Sequence, residues 1–130
     1  MTEITNLTNE KIDKKILVKV AEKATKILGG KGLEDISLVL VCDARMRNLN
    51  KKYRGKNYIT DVLSFEGLNE IFICFPQAKR QAKLLKIPLN RELTRLFAHG
   101  IVHLKGYNHE RSKREAARML ALENKILKNL

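Results

Sequence analysis

Tryptophan is absent from this chain, and three tyrosines and four phenylalanines are its only Phe, Tyr or Trp rings. Rings so few and so scattered form no run that reads as a base-stacking platform. Cysteine is scarce as well. Cys42 and Cys74 lie far apart in apolar, β-branched surroundings and form no CxxC pair, which argues against a disulfide framework and against a thiolate metal site. Both are expected as small buried hydrophobes in a reducing compartment. No apolar run approaches the roughly 20 residues that a bilayer-spanning helix needs, and the polar start MTEITNLTNE has no signal-peptide core. The chain is therefore expected to be soluble and cytoplasmic, with no membrane partner. Acidic residues are in deficit, with 14 Asp and Glu against 26 Lys and Arg for a net charge of +12. Such a field gathers polyanions, nucleic acid first among them, although solvated surface lysines give the same composition and charge alone leaves the partner open. No linker, internal repeat or low-complexity tract divides the 130 residues, so one domain over residues 1–130 with one core is expected.

Histidine is scarce too, and its placement is informative. All three histidines fall inside the stretch His99–His109, HGIVHLKGYNH. At about 3.6 residues per helical turn His99 and His103 share a face, and Lys105-Gly106 supplies a helix stop after which the chain can bring His109 back toward them. Three imidazoles converging on one point suit Zn²⁺, or another divalent metal, and leave a fourth position open, which favours catalysis over a structural role. The ligand spacing is that of the zinc-protease motif HExxHxxGxxH, including Gly106, but Gly100 stands where that motif places its general base. A metal site is expected and a protease is not.

Around this stretch the pattern predicts a small mixed α/β (α+β) fold. Ile4 marks a weak opening strand. Asn9 is expected to cap a helix carrying Ile12, Ile16, Val20, Ala24 and Ile27 on one face. Ile36–Cys42 reads as a central strand covered on both faces, and Asp43 as the cap of a helix that ends at Gly55. Thr60–Phe65 and Glu70–Cys74 make an antiparallel hairpin, Pro76 opens a helix running to Lys86, and Asn90 caps the next, whose stripe Leu93, Leu96, Phe97, Gly100, Leu104 leaves His99 and His103 on its flank. A final helix within Arg111–Leu130 brings the count to about five, with Glu110 expected in its acidic first turn. Lys51, Lys52, Lys56, Lys79, Arg80 and Lys83 are candidates for a phosphate-tracking surface.

Two stretches resemble the YbeY family of bacterial rRNA maturation factors and metal-dependent endoribonucleases. The family signature HGxLHLxGYDH is met by His99–His109, and a second, an arginine followed shortly by TDVLSF, by Arg54 and Thr60–Phe65. Similarity runs thinly through Ile71–Ile73, Glu92-Leu93, Met119 and Glu123, so that it covers most of the chain from about Asn48 onward. Asn108 replaces the usual Asp, Ile59 the usual Pro, and Asn69-Glu70 the usual Gly-Asp. Asn108 loses a charge that would tune His109. The resemblance implies a compact α/β domain with a Zn²⁺ site in a cleft held by His99, His103 and His109. It also implies hydrolysis of single-stranded RNA, in maturation of the small-subunit rRNA 3′ end and in ribosome quality control, with ribosomal RNA and the ribosome or its proteins as partners. His99 and Arg54 would be catalytic, and Arg54, Asp61 and Ser64 would line the substrate site. Arg54 would clamp a phosphate through paired N–H donors, while the metal activates water or polarises the phosphodiester. Asp61 equally suits a turn cap or an ion pair with Arg54, and no residue reads as the general base. The chain is expected to be a monomer, and two alternatives stay open: a ribosome-associated RNA-binding factor whose metal is structural, and a metal-dependent hydrolase of another substrate.

Overall fold

The computed structural model describes residues 1–108 and 110–130; His109 lies outside the described residues. Four strands, β1 (Glu3–Asn6), β2 (Ser37–Val41), β3 (Val62–Phe65) and β4 (Glu70–Cys74), form one sheet in the order β1-β2-β4-β3. β1 and β2 are parallel, as are β2 and β4, whereas β3 runs antiparallel to β4 through the expected hairpin. Five helices accompany them among the described residues: α1 (Lys14–Leu28), α2 (Asp43–Arg54), α3 (Phe75–Leu85), α4 (Leu89–Leu104) and α5 (Lys113–Leu127). None is long and apolar enough to cross a membrane.

Alternation along the strands decides which layer each side chain joins. Leu38, Leu40, Ile71 and Ile73 face one side, where they pack with Leu17, Val20, Leu96, Phe97 and Ile101 of α1 and α4. Val41, Leu63 and Cys74 face the other, where Met46 of α2 meets them and Val39, Phe65 and Phe72 are only partly covered. Because Ser64 pairs with Ile71 across the hairpin, its hydroxyl points to the α4 side, while its neighbours Leu63 and Phe65 point toward α2. β3 is thus an edge strand with a different helix against each face.

α4 is the central element. From Glu92 to Leu104 every residue is buried except Arg95, His99 and His103, a ridge at i, i+4, i+8. Gly100 lets this helix approach the sheet. A Cβ there would lie 3.0 Å from Ile71 Cγ2 and 3.1 Å from Ser64 Oγ, and the Gly100 carbonyl accepts the Ser64 hydroxyl at 3.1 Å. The helix ends as expected: Gly106 (φ 98°) takes the left-handed region and donates its N–H to the His103 carbonyl. Lys105 anchors the exit by donating its ammonium to the Lys31 carbonyl.

Several expectations shift. The cap of α1 is Asp13, whose carboxylate accepts the Ile16 N–H, not Asn9; the segment before it is held in turns by Asn6 and Thr8 side chains. Asp43 opens α2 from its first turn with Cys42 at the cap, so Cys42 is exposed and only Cys74 is a buried hydrophobe. Pro88, extended at ψ 146°, precedes α4, and Asn90 lies one residue inside the helix. β2 and β3 are shorter than their apolar runs, and α5 is capped by Ser112 with Glu115, not Glu110, in its acidic first turn.

Candidate active-site cleft

A cleft of about 530 Å³ opens beside β3, between the ridge of α4 and the end of α2. His99 and His103 line it from α4, Asp61, Val62 and Ser64 from β3 and its approach, and Arg54 from the last position of α2. The fold therefore gathers every described site residue named from the sequence into one depression. Asn108 and Glu110 line the cleft as well.

The two imidazoles stand edge to face with centroids 4.7 Å apart, the outcome of i, i+4 spacing on a helix. His99 Nδ1 is 3.0 Å from Glu123 Oε2, and the two side chains are 23% and 7% exposed. An ionised carboxylate can only accept, so Nδ1 carries the proton in this contact, and in the neutral ring the lone pair is then on Nε2, the tautomer a metal ligand needs. The sequence alone does not name this acceptor for the His99 ring. Its signal lay in the spacing, since Met119, Glu123 and Ile126 fall on one face of α5 and all three are buried. A carboxylate at a core position requires a partner.

The remaining site residues are held by backbone contacts. Asp61 Oδ1 accepts the Val62 N–H at 2.8 Å and its carbonyl accepts the Cys74 N–H, so Asp61 caps the start of β3; it forms no ion pair with Arg54 among the described residues. The Ser64 hydroxyl is committed to Gly100. Arg54 is the last residue of α2, exposed, with Gly55 (φ 69°) closing the helix behind it. Asn108 Oδ1 accepts the Glu110 N–H at 2.9 Å, which needs an acceptor oxygen but no charge. Of the cations suggested for a phosphate track, Lys56 lines the cleft, whereas Arg80 is forked onto Asp43 and Gln77 and Lys79 pairs with Glu10. Asp43 in turn is held below the usual carboxylate range by the Arg80 hydrogen bond.

Below the ridge, Glu92 is fully buried and accepts two hydrogen bonds from Arg95 and one from Gln81. Burial alone would push its carboxyl up, but these donors outweigh it and hold it below the ordinary range. This cluster fixes α3 to α4 beneath the site.

The donor set suits a cation as far as it is described. His99 and His103 present imidazole nitrogens from adjacent turns, with the first ring's tautomer set by Glu123; the third expected ligand, His109, is outside the described residues, and the described residues alone contain no group of three His, Cys, Asp or Glu able to hold a metal. A glutamate at position 100, as in the zinc-protease motif, would have to push aside Ile71 and Ser64, which lie 3.0–3.2 Å from where its Cβ would sit. Paired imidazoles and an arginine lining one cleft are side chains by which a hydrolase holds an electrophilic ion and an anionic substrate.

Comparison with known proteins gives the family. The model of the family described as Endoribonuclease YbeY matches residues 3–130, well beyond the two motifs. An endoribonuclease YbeY of Persephonella marina is 37% identical over 135 residues, spanning 95% of this chain and 88% of its own. That of Aquifex aeolicus is 38% identical over 136 residues, spanning 98% and 90%. The solution structure of a Thermotoga maritima protein superposes with a TM-score of 0.64 at 27% identity, covering 97% of this chain and 89% of that one. The chain belongs to the endoribonuclease YbeY family.

Proposed function

We propose that this chain is a zinc-dependent endoribonuclease that cuts single-stranded RNA, acting in the cytoplasm in maturation of the small-subunit rRNA 3′ end and in ribosome quality control. The observation that carries the reading is the cleft itself: His99, in contact with the Glu123 carboxylate, stands beside His103 on the one solvent-reaching ridge of a buried helix and lines the same cleft as Arg54. With His109 as third ligand, a zinc ion would supply Lewis acidity toward a phosphoryl oxygen. Arg54 binds the substrate phosphate through paired N–H donors and stabilises the charge that develops as the P–O bond breaks. Asp61 and Ser64 shape the floor, their polar atoms engaged with β3 and α4.

The test is cleavage of a single-stranded RNA by the wild type, His99→Ala and Arg54→Ala. The expected loss for Arg54→Ala is about a hundredfold or more in kcat/KM, and for His99→Ala loss of both metal and cleavage. Equal cleavage by all three would assign the activity to a contaminating nuclease. The His99–Glu123 contact also ties α5 to α4, which favours a second reading, an RNA-binding factor with a structural metal. In that case chelation lowers Tm and no metal restores cleavage.

A further inference from the structure

Of the seven Phe and Tyr rings, only Tyr53 and Tyr58 are exposed, at 56% and 53%, and both line the cleft that holds His99, His103 and Arg54. Exposed rings elsewhere on the surface would need no explanation; two at the rim of one cleft do. Neither is loosely placed. Tyr53 packs against Phe65 with centroids 5.3 Å apart at 72°, and Phe65 against Phe72 at 5.7 Å and 85°, an aromatic ladder rooted in the hairpin β3-β4. The backbone that carries Tyr58 is held through its carbonyl, which accepts the Nδ2–H of Asn50 at 2.9 Å; Asn50 is buried in α2, the helix that also carries Tyr53. The loop between the two rings is further held by Arg47, whose Nε donates to Asn57 at 3.1 Å. Cations accompany the rings: Lys52 Nζ lies 5.3 Å from the Tyr53 centroid, and Arg54 and Lys56 line the same rim.

We infer that Tyr53 and Tyr58 are a base-stacking platform that selects unpaired nucleotides and seats them in the cleft, while Arg54 and Lys56 hold the phosphates between them. Preorganised rings interleaved with cations are how single strands are bound without sequence readout, since every base has a π-face. A duplex is rejected because its bases are already stacked on each other. This inference rests on the endoribonuclease reading and adds the side chains that make it single-strand selective.

The test is equilibrium binding of the full chain to a 2′-O-methyl, phosphorothioate-linked oligonucleotide of about eight residues with 2-aminopurine at its centre. This probe resists both 2′-oxygen attack and hydrolysis, and cleavage of the unmodified RNA is followed in parallel. Tyr53→Ala and Tyr58→Ala are each expected to weaken binding about five- to a hundredfold and to abolish 2-aminopurine quenching. Tyr53→Phe and Tyr58→Phe retain both, because stacking uses the ring and not the hydroxyl. An oligonucleotide with abasic central positions should bind the wild type and the alanine variants alike. Alanine variants that bind and quench as the wild type does would overturn the inference, as would phenylalanine variants that lose as much as alanine. If the wild type binds and cleaves single strands regardless, only the platform falls; if it neither binds nor cleaves them, the endoribonuclease reading falls with it.

Discussion

Gly100→Ala separates two physical effects of opposite sign. In a helix interior alanine is favoured over glycine by about 1 kcal/mol, so on an open face this substitution stabilises. Here the new Cβ would sit 3.0 Å from Ile71 Cγ2, 3.1 Å from Ser64 Oγ and 3.2 Å from Ile71 Cδ1. Ile71 is fully buried on an inner strand among the side chains of the main core, and Ser64 is held by its own hydrogen bond to the Gly100 carbonyl. Overpacking of this kind costs about 1–3 kcal/mol, so the net result is a destabilisation of about 1 kcal/mol. For a chain of this size that lowers Tm by about 4 °C in a thermal melt. The cause can be isolated in an Ile71→Val background, which removes the Cδ1 atom: the double variant should be more stable than additivity predicts by at least about 0.5 kcal/mol. A Tm that rises by about 4 °C, as propensity alone requires, would refute the close approach of α4 to the sheet.

Two further outcomes follow from the carboxylates around α4. Glu123→Gln keeps the shape of the side chain but weakens its hold on the His99 N–H, and should lower zinc affinity about 10- to 100-fold in competition with a chromophoric chelator; unchanged affinity would mean that the contact does not serve the site. Glu92→Gln should cost about 1.5–3 kcal/mol in urea unfolding at pH 7, since it replaces charge-assisted hydrogen bonds in a buried cluster. Because the native Glu92 pKa is lowered, its contribution is full above the unfolded value of about 4.3 and is lost as pH falls through the native one. The gap between wild type and variant must therefore close on acidification, and a gap that stays constant into acid would place the stabilisation elsewhere.

What could be read from the sequence was whatever repeats locally. The apolar stripe of α4 is visible because neighbours three and four apart meet on a helix, and the flank position of His99 and His103 follows from the same period. Glu70–Cys74 is legible to the residue because its alternation, the turn before it and the proline-led helix after it agree. Cap positions were harder, since Asn9 and Asp13 are both good caps and the choice falls to hydrogen bonds within the Asn6–Glu10 turn. Cys42 looked buried because the apolar run of β2 reaches it, yet the strand ends one residue earlier. Long-range pairings were least legible: Glu123 meets His99 from 24 residues away. Tyr53 and Tyr58 form no aromatic run, and become a pair only when α2 and its loop fold onto β3.

The central claim is that His99, His103 and His109 share one metal ion. Zinc K-edge X-ray absorption on the zinc-loaded chain tests it most directly. The expected spectrum has three imidazole nitrogens at about 2.0–2.1 Å, one ion per chain, and no sulfur scatterer; in His99→Ala the ion is lost. A spectrum with fewer than three imidazoles, or one that His99→Ala leaves unchanged, would contradict it.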